Sequence, residues 1–393
     1  MAGSPWPAAR AAAYRAGAAL APRLDGSRRI PVPECSGRVC AEDVLAPMDL
    51  PHFASSAMDG WAVSGPSPWR LVPAGDPRRP APLESRTAAA VLTGAPLPAG
   101  TTAVLRSERG DASAGLLRAT EPLRDGADIR PAGREASRGD LLVRAGTRLT
   151  PAHAAAVAVA GVDAVRVASA PRVRLVLTGD EVVETGVPEP GYVRDAFRPL
   201  LPAAVAGLGG EVAAVVRIGD DRRRTDEEIA AAADLVILTG GTGRSRADHV
   251  RAAIEDLGAE LLVDQIDMRP GHPALLARRA DGALLVALPG NPLAAVAALL
   301  TLAAPALAGA TGRAEPRPRR APAGEPHAPL PGRHRLVPSV VADDATGGLV
   351  ACDRAGPGMM RGLAGADVLM VVPPEGIEAG EPVEFLPLPW STR

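Results

Sequence analysis

Three apolar runs that each break into a glycine-bearing turn constrain this 393-residue chain more than any other feature. The turns are Leu177-Thr178-Gly179-Asp180-Glu181, Leu238-Thr239-Gly240-Gly241-Thr242-Gly243 and Leu288-Pro289-Gly290-Asn291-Pro292. The runs ahead of them, at 173–177, 234–238 and 283–288, are short, apolar and turn-bounded, as strands covered on both faces of a parallel sheet should be. Helical patterns follow at 195–207, 225–233, 248–257 and 292–307, with a further strand at 212–218. Strand, crossover helix and strand in alternation predict a doubly wound α/β domain, whose ligands lie outside the carboxyl ends of the strands. All three glycine turns fall at those ends and predict one pocket built by three loops.

A chain of this length exceeds one ordinary core, so more domains are expected around the α/β unit. The reading gives a discontinuous framework domain at 1–48 and 137–170, opening on a helix that runs to Leu24. Into it is inserted a small β-rich domain at 49–136. The α/β domain spans 171–312, a Pro/Arg-rich linker 313–333, and a small barrel-like β domain 334–393. Thr150-Pro151 predicts an N-cap and the first residue of a helix.

Composition excludes several functions. A net charge of -2 and 2% aromatic residues offer neither an electrostatic footprint nor a stacking platform for nucleic acid. Cys35, Cys40 and Cys352 form no metal-ligand spacing and suit a reducing, cytoplasmic setting. The uncharged stretch 292–310 approaches bilayer length, but its prolines, its alanines and its place after a strand and turn predict a buried helix, not a membrane span. Every basic residue is Arg, so no Walker A loop can exist and an Arg can stand where Lys would serve. A Gly-x-Ser-x-Gly elbow is absent, and among the histidines only His272 falls near the expected pocket.

A helix start at a sheet's carboxyl end offers free N–H groups and the positive end of the helix dipole. Three such turns therefore favour an anion, with the Thr178, Thr239 and Thr242 hydroxyls as further donors. Acids crowd the same turns: Asp180, Glu181, Asp195, Asp220, Asp221 and Asp248. Asp180, Asp195 and Asp248 are each equally well a helix cap or first-turn acid. Several beside an anion site imply an intervening cation, most simply Mg²⁺ bridging phosphate oxygens. Asp59-Gly60 on its own reads as a hairpin turn.

Taken in order, Ser56-Ala57-Met58-Asp59-Gly60-Trp61-Ala62, Leu92-Thr93-Gly94-Ala95-Pro96-Leu97-Pro98, Thr178-Gly179-Asp180-Glu181, Asp195, Gly240-Gly241 with Asp248, Met268-Arg269-Pro270-Gly271 and Leu288-Pro289-Gly290-Asn291-Pro292 form a pattern. It resembles the molybdopterin molybdenumtransferase family, called MoeA in bacteria and represented in gephyrin's E domain, from about Gly37 to Pro387. The resemblance implies a MogA-like α/β domain in an elongated homodimer that inserts molybdate into adenylylated molybdopterin, with Mg²⁺ assisting and AMP released. It also implies a cleft between the α/β domain of one subunit and the inserted domain of the other. A MogA-like adenylyltransferase and recipient molybdoenzymes would be partners.

By position, Asp59, Glu181, Asp221 and Asp248 would be catalytic, with Asp221 and Asp248 on the metal. Thr93, Glu135, Thr178, Gly179, Asp180, Asp195, Gly240, Gly241, Thr242 and Gly243 would bind substrate. Arg269 and His272 would supply a positive side, and Pro289, Gly290, Asn291 and Pro292 would shape the oxyanion pocket. The chain departs from the pattern at Thr242-Gly243-Arg244-Ser245-Arg246, which looks more like the related adenylyltransferases. It departs also at Phe197 in place of Asn, Glu135 in place of Asp, and Arg269 and His272 in place of Lys. Two other readings therefore stand beside the insertase: a diverged carrier or scaffold that binds the cofactor, and an adenylyltransferase.

Overall fold

The expected parallel strands form in the computed structural model, which describes residues 3–24, 26–76, 78–241, 249–343 and 347–391. Their sheet has six strands in the order Glu211–Arg217, Arg172–Leu177, Leu235–Thr239, Leu284–Leu288, Leu275–Arg278, Glu260–Asp264. The first three pairings are parallel, with Leu177 level with Thr239 and Thr239 level with Leu288. The last two are antiparallel, a hairpin-like extension at 260–278 that the sequence reading did not anticipate. Leu235–Thr239 and Leu284–Leu288 are buried along their whole length, because helices cover both faces of a parallel sheet.

The covering helices are Phe197–Leu208, Arg222–Ala230, His249–Asp256 and the long apolar helix Pro292–Ala310, which contains a π turn at Leu299–Ala303. From Leu293 on that last helix is buried, as a core helix and not an exposed span. The first helix, Trp6–Ala18, packs on it: Trp6 Nε1 donates to Thr301 Oγ1 at 3.1 Å and Arg10 Nη1 to the Leu300 carbonyl at 2.8 Å. Burial lowers the Arg10 guanidinium to about 10, against the opposing pull of Glu315 and Glu384. Residues 6–18 thus lie on the α/β core, whereas the sequence reading grouped them with the framework.

Two compact units result, one of residues 1–28, 37–39 and 167–393 and the other of 29–36 and 40–166. The first unit also holds a seven-stranded sheet, ordered Ser4–Pro5, Ile266–Arg269, His334–Val341, Val368–Val372, Pro382–Pro387, Arg319–Pro322, with Leu349–Ala351 paired to His334–Val341. Arg319–Pro322 lies inside the stretch read as a linker and is an edge strand against Pro382–Pro387. Proline is tolerated there because the outer side of an edge strand needs no ladder donor.

The second unit contains a six-stranded sheet ordered Ala103–Arg106, Gly60–Val63, Thr87–Val91, Trp69–Val72, Leu116–Ala119, Gly110–Ser113, the expected β-rich part. Helix Pro151–Val159 follows it, and its N-cap is as predicted. Thr150 Oγ1 accepts the His153 amide at 3.2 Å, and His153 Nδ1 accepts the Thr150 amide at 3.1 Å.

Candidate functional site

Parallel pairing brings three strand ends side by side, and hydrogen bonds then lock their turns together. The Thr178 hydroxyl donates to the Thr239 carbonyl, and the Gly240 amide donates to the Leu288 carbonyl at 2.9 Å. Both Gly179 and Gly240 occupy positive φ, at 120° and 83°, a region that disfavours side chains. A Cβ on Gly240 would lie 2.5 Å from Thr178 Oγ1, and one on Gly290 would lie 3.6 Å from the Gly240 Cα. Only glycine lets the second turn approach the first this closely.

The turns enclose one cleft of about 830 Å³. Thr178, Gly179 and Glu181 line it from the first turn, Gly240 and Gly241 from the second, and Pro289, Gly290, Asn291 and Pro292 from the third. The predicted convergence of the glycine turns is therefore present. Two expected donors are not: the Thr178 hydroxyl spends its proton on the Thr239 carbonyl, and Thr239 is fully buried, its hydroxyl oxygen accepting the Thr178 amide. Thr242, Gly243 and Asp248 lie outside the described residues.

The acids divide by geometry. Glu181 and Asp220 line the cleft. Asp180 instead clasps its neighbour: its Oδ1 accepts the Asp220 amide at 3.3 Å, and Asp220 Oδ2 accepts the Asp180 amide at 3.4 Å. Asp221 turns away as the N-cap of Arg222–Ala230, accepting the Arg224 amide at 3.0 Å, a contact that holds its carboxyl below the usual range. Asp195 lines the cleft but is buried and already engaged, by the Phe197 amide at 2.8 Å, the Arg198 amide at 3.1 Å and the Arg217 guanidinium. Burial alone would raise its pKa; the Arg198 amide, Arg217 and the Phe197 amide together carry it below the usual value.

Neither member of the expected positive side lines this cleft. Arg269 is exposed at the end of Ile266–Arg269, and His272 Nδ1 sits 2.6 Å from the Ile266 carbonyl oxygen. The basic residue that does line it is Arg194, which the sequence reading missed, along with Gly358 and Met360 from the C-terminal segment; Asp220, expected among the acids of the turns, lines it where the metal role had been given to Asp221. An Asp-Asp pair ahead of a helix was a readable signal, since only one of two neighbours can cap. Arg194 and Met360 carried no such signal, because chain folding alone brings them here.

In the second unit Asp59 Oδ1 accepts both the amide and the hydroxyl of Thr93, at 2.7 and 2.8 Å, and these bonds hold its pKa low. Asp59 borders an apolar recess of about 470 Å³ that includes Trp61 and Leu92. Glu135 is exposed and its amide donates to the Leu50 carbonyl at 2.8 Å.

The chain matches known protein families along most of its length. Residues 174–309, which carry all three glycine turns, match the model described as "Probable molybdopterin binding domain". Residues 8–161 match the MoeA N-terminal region (domain I and II), and 320–388 the MoeA C-terminal region (domain IV). A molybdopterin molybdenumtransferase of Synechococcus elongatus is 34% identical over 293 residues, 67% of this chain and 71% of the relative. The chain belongs to the molybdopterin molybdenumtransferase family.

Another member of that family, molybdopterin molybdenumtransferase 2 of Mycobacterium tuberculosis, is 30% identical over 374 residues, 89% of this chain and 91% of its own length. Among solved structures, the molybdopterin biosynthesis MoeA protein from Pyrococcus horikosii superposes with a TM-score of 0.75 at 25% identity, covering 95% of this chain and 98% of that one. Phe197, one of the expected departures from the pattern, is buried, packs into the core and still reaches the cleft wall.

Proposed function

We propose that this chain acts in molybdenum cofactor biosynthesis by inserting molybdate into adenylylated molybdopterin, releasing AMP. The observation that carries the reading is the convergence on one cleft of three glycine turns that all belong to the segment matched as a molybdopterin-binding domain. Backbone amides at such turns suit tetrahedral oxyanions, and molybdate, the pterin phosphate and the AMP phosphate are all of that kind. Relatives that carry the molybdenumtransferase name along most of the chain speak against the adenylyltransferase reading.

Mg²⁺ belongs to the proposal. Among the described residues no three His, Cys, Asp or Glu converge as a ready-made site. Mg²⁺, however, commonly rests on one or two carboxylates plus substrate phosphates. Glu181 and Asp220 fit that role, as acceptor-only groups on the cleft wall. When bound, the ion supplies charge neutralisation at the phosphoanhydride.

The chain's own contribution is positioning and a fixed polar surround, as in phosphoryl transfer generally. The turns hold the oxyanions, the prolines at 289 and 292 shape the wall, and no covalent enzyme intermediate is needed. Asp59, Thr93 and Glu135 enter the proposal as a second set, contributed across a homodimer by the partner subunit. A cytoplasmic setting fits the free cysteines.

The test is reconstitution: the purified chain, adenylylated molybdopterin, molybdate and Mg²⁺ are incubated with a molybdenum-free molybdoenzyme. Gain of molybdoenzyme activity is expected. Retention of the pterin on the chain with no activity gained would instead favour a carrier.

A further inference from the structure

The cleft has an uneven charge inventory that the functional reading leaves unexplained. Three acidic residues line it, Glu181, Asp195 and Asp220, against one basic residue, Arg194. Asp195 is the adjacent residue and could have taken Arg194 as its partner. It is held instead by Arg217, which also lies 3.5 Å from Glu184. Arg198, the next cation along, is 3.2 Å from the other oxygen of Glu184. Asp195 and, outside the cleft, Glu184 are thus engaged by Arg217 and Arg198, and among the described residues no ion pair or hydrogen bond occupies the Arg194 guanidinium.

Local structure fixes the backbone that carries that cation. Val182–Val183 and Val193–Arg194 pair in parallel, with Val183 level with Arg194. The Val193 amide donates to the Glu181 carbonyl at 2.8 Å, and the Asp195 amide to the Val183 carbonyl at 3.0 Å. Arg194 is therefore tied at its backbone on both sides to the segment that carries Glu181, while its side chain is exposed. A guanidinium that is held by its backbone, unpaired and set among amide-bearing turns is suited to bidentate capture of an oxyanion.

We propose that Arg194 is the anion-anchoring residue of the cleft and binds the phosphate of a nucleotide or pterin phosphate ester, the role that Arg269 and His272 were expected to fill. This rests on the functional reading above and names its anion contact. Molybdate shares the tetrahedral oxyanion chemistry, so the experiment separates the two sources.

Equilibrium binding by the full chain is measured by calorimetry, with AMP in one arm and molybdate alone in the other, across a range of salt concentrations. For Arg194→Gln, AMP affinity should fall at least about tenfold and lose most of its salt dependence, while molybdate binding and the thermal midpoint stay near those of the unchanged chain. Arg194→Lys should recover part of the loss, since the charge returns without the planar fork. Arg194→Gln that binds AMP as tightly as the unchanged chain overturns the assignment. So does a variant that loses only molybdate, which would make Arg194 a metal-oxyanion contact. Failure of the unchanged chain to bind AMP at all would overturn the functional reading and this assignment together.

Discussion

At the scale of single residues, the main lesson is that neighbouring acids of one type do different work. Asp59 gives its carboxylate to Thr93 through two hydrogen bonds that an Asn Oδ1 could still accept. Asp59→Asn should therefore keep the fold but remove the charge, lowering turnover at least about tenfold with little change in Tm. Unchanged turnover in a steady-state assay would remove Asp59 from the machinery. Asp220 and Asp221 make a sharper pair, because the first lines the cleft and the second caps a helix. Loss of the cap in Asp221→Ala should lower Tm by roughly 1–3 °C and leave kcat/KM nearly intact. Asp220→Asn should do the reverse. If Asp221→Ala were instead the more damaging to turnover, the original sequence assignment of Asp221 would be restored.

At the scale of elements, the site is a consequence of parallel pairing. Strands in register end together, so their turns meet, and glycine decides how closely. Gly240→Ala would place a Cβ 2.5 Å from Thr178 Oγ1 in a backbone of positive φ. We expect a cost of about 1–3 kcal/mol in chemical denaturation and a loss of ligand affinity larger than the stability change explains. A well-folded variant of unchanged affinity would show that the turns do not need to touch.

Most of this scale was legible in the sequence. The strands near 173, 235 and 284, their turns, the buried helix at 292 and the Thr150 cap all follow from apolar runs punctuated by Gly and Pro. The antiparallel extension at 260–278 was not legible, since its two short apolar runs lack a hairpin dipeptide and their partners are set by the sheet already in place. Arg194 was invisible for a similar reason. It depends on two-residue strands that have no periodicity to read. The expected linker at 313–333 failed because Pro and Arg also suit an exposed edge strand.

At the scale of the whole molecule, the proposal is that the cleft of one subunit is completed by the Asp59-bearing unit of its partner. Inactive Asp59→Asn and Glu181→Gln chains, mixed and allowed to exchange subunits, should then recover up to about a quarter of normal turnover, because random exchange makes half the dimers mixed and each mixed dimer restores one of two sites. Mixtures that stay inactive would place both residues in a cleft made by one chain. The central claim, that the three glycine turns form a molybdate-insertion site, is tested most directly by AMP release from adenylylated molybdopterin with Mg²⁺, with and without molybdate. The account predicts release that requires molybdate. Tight pterin binding with no AMP released under either condition would contradict it.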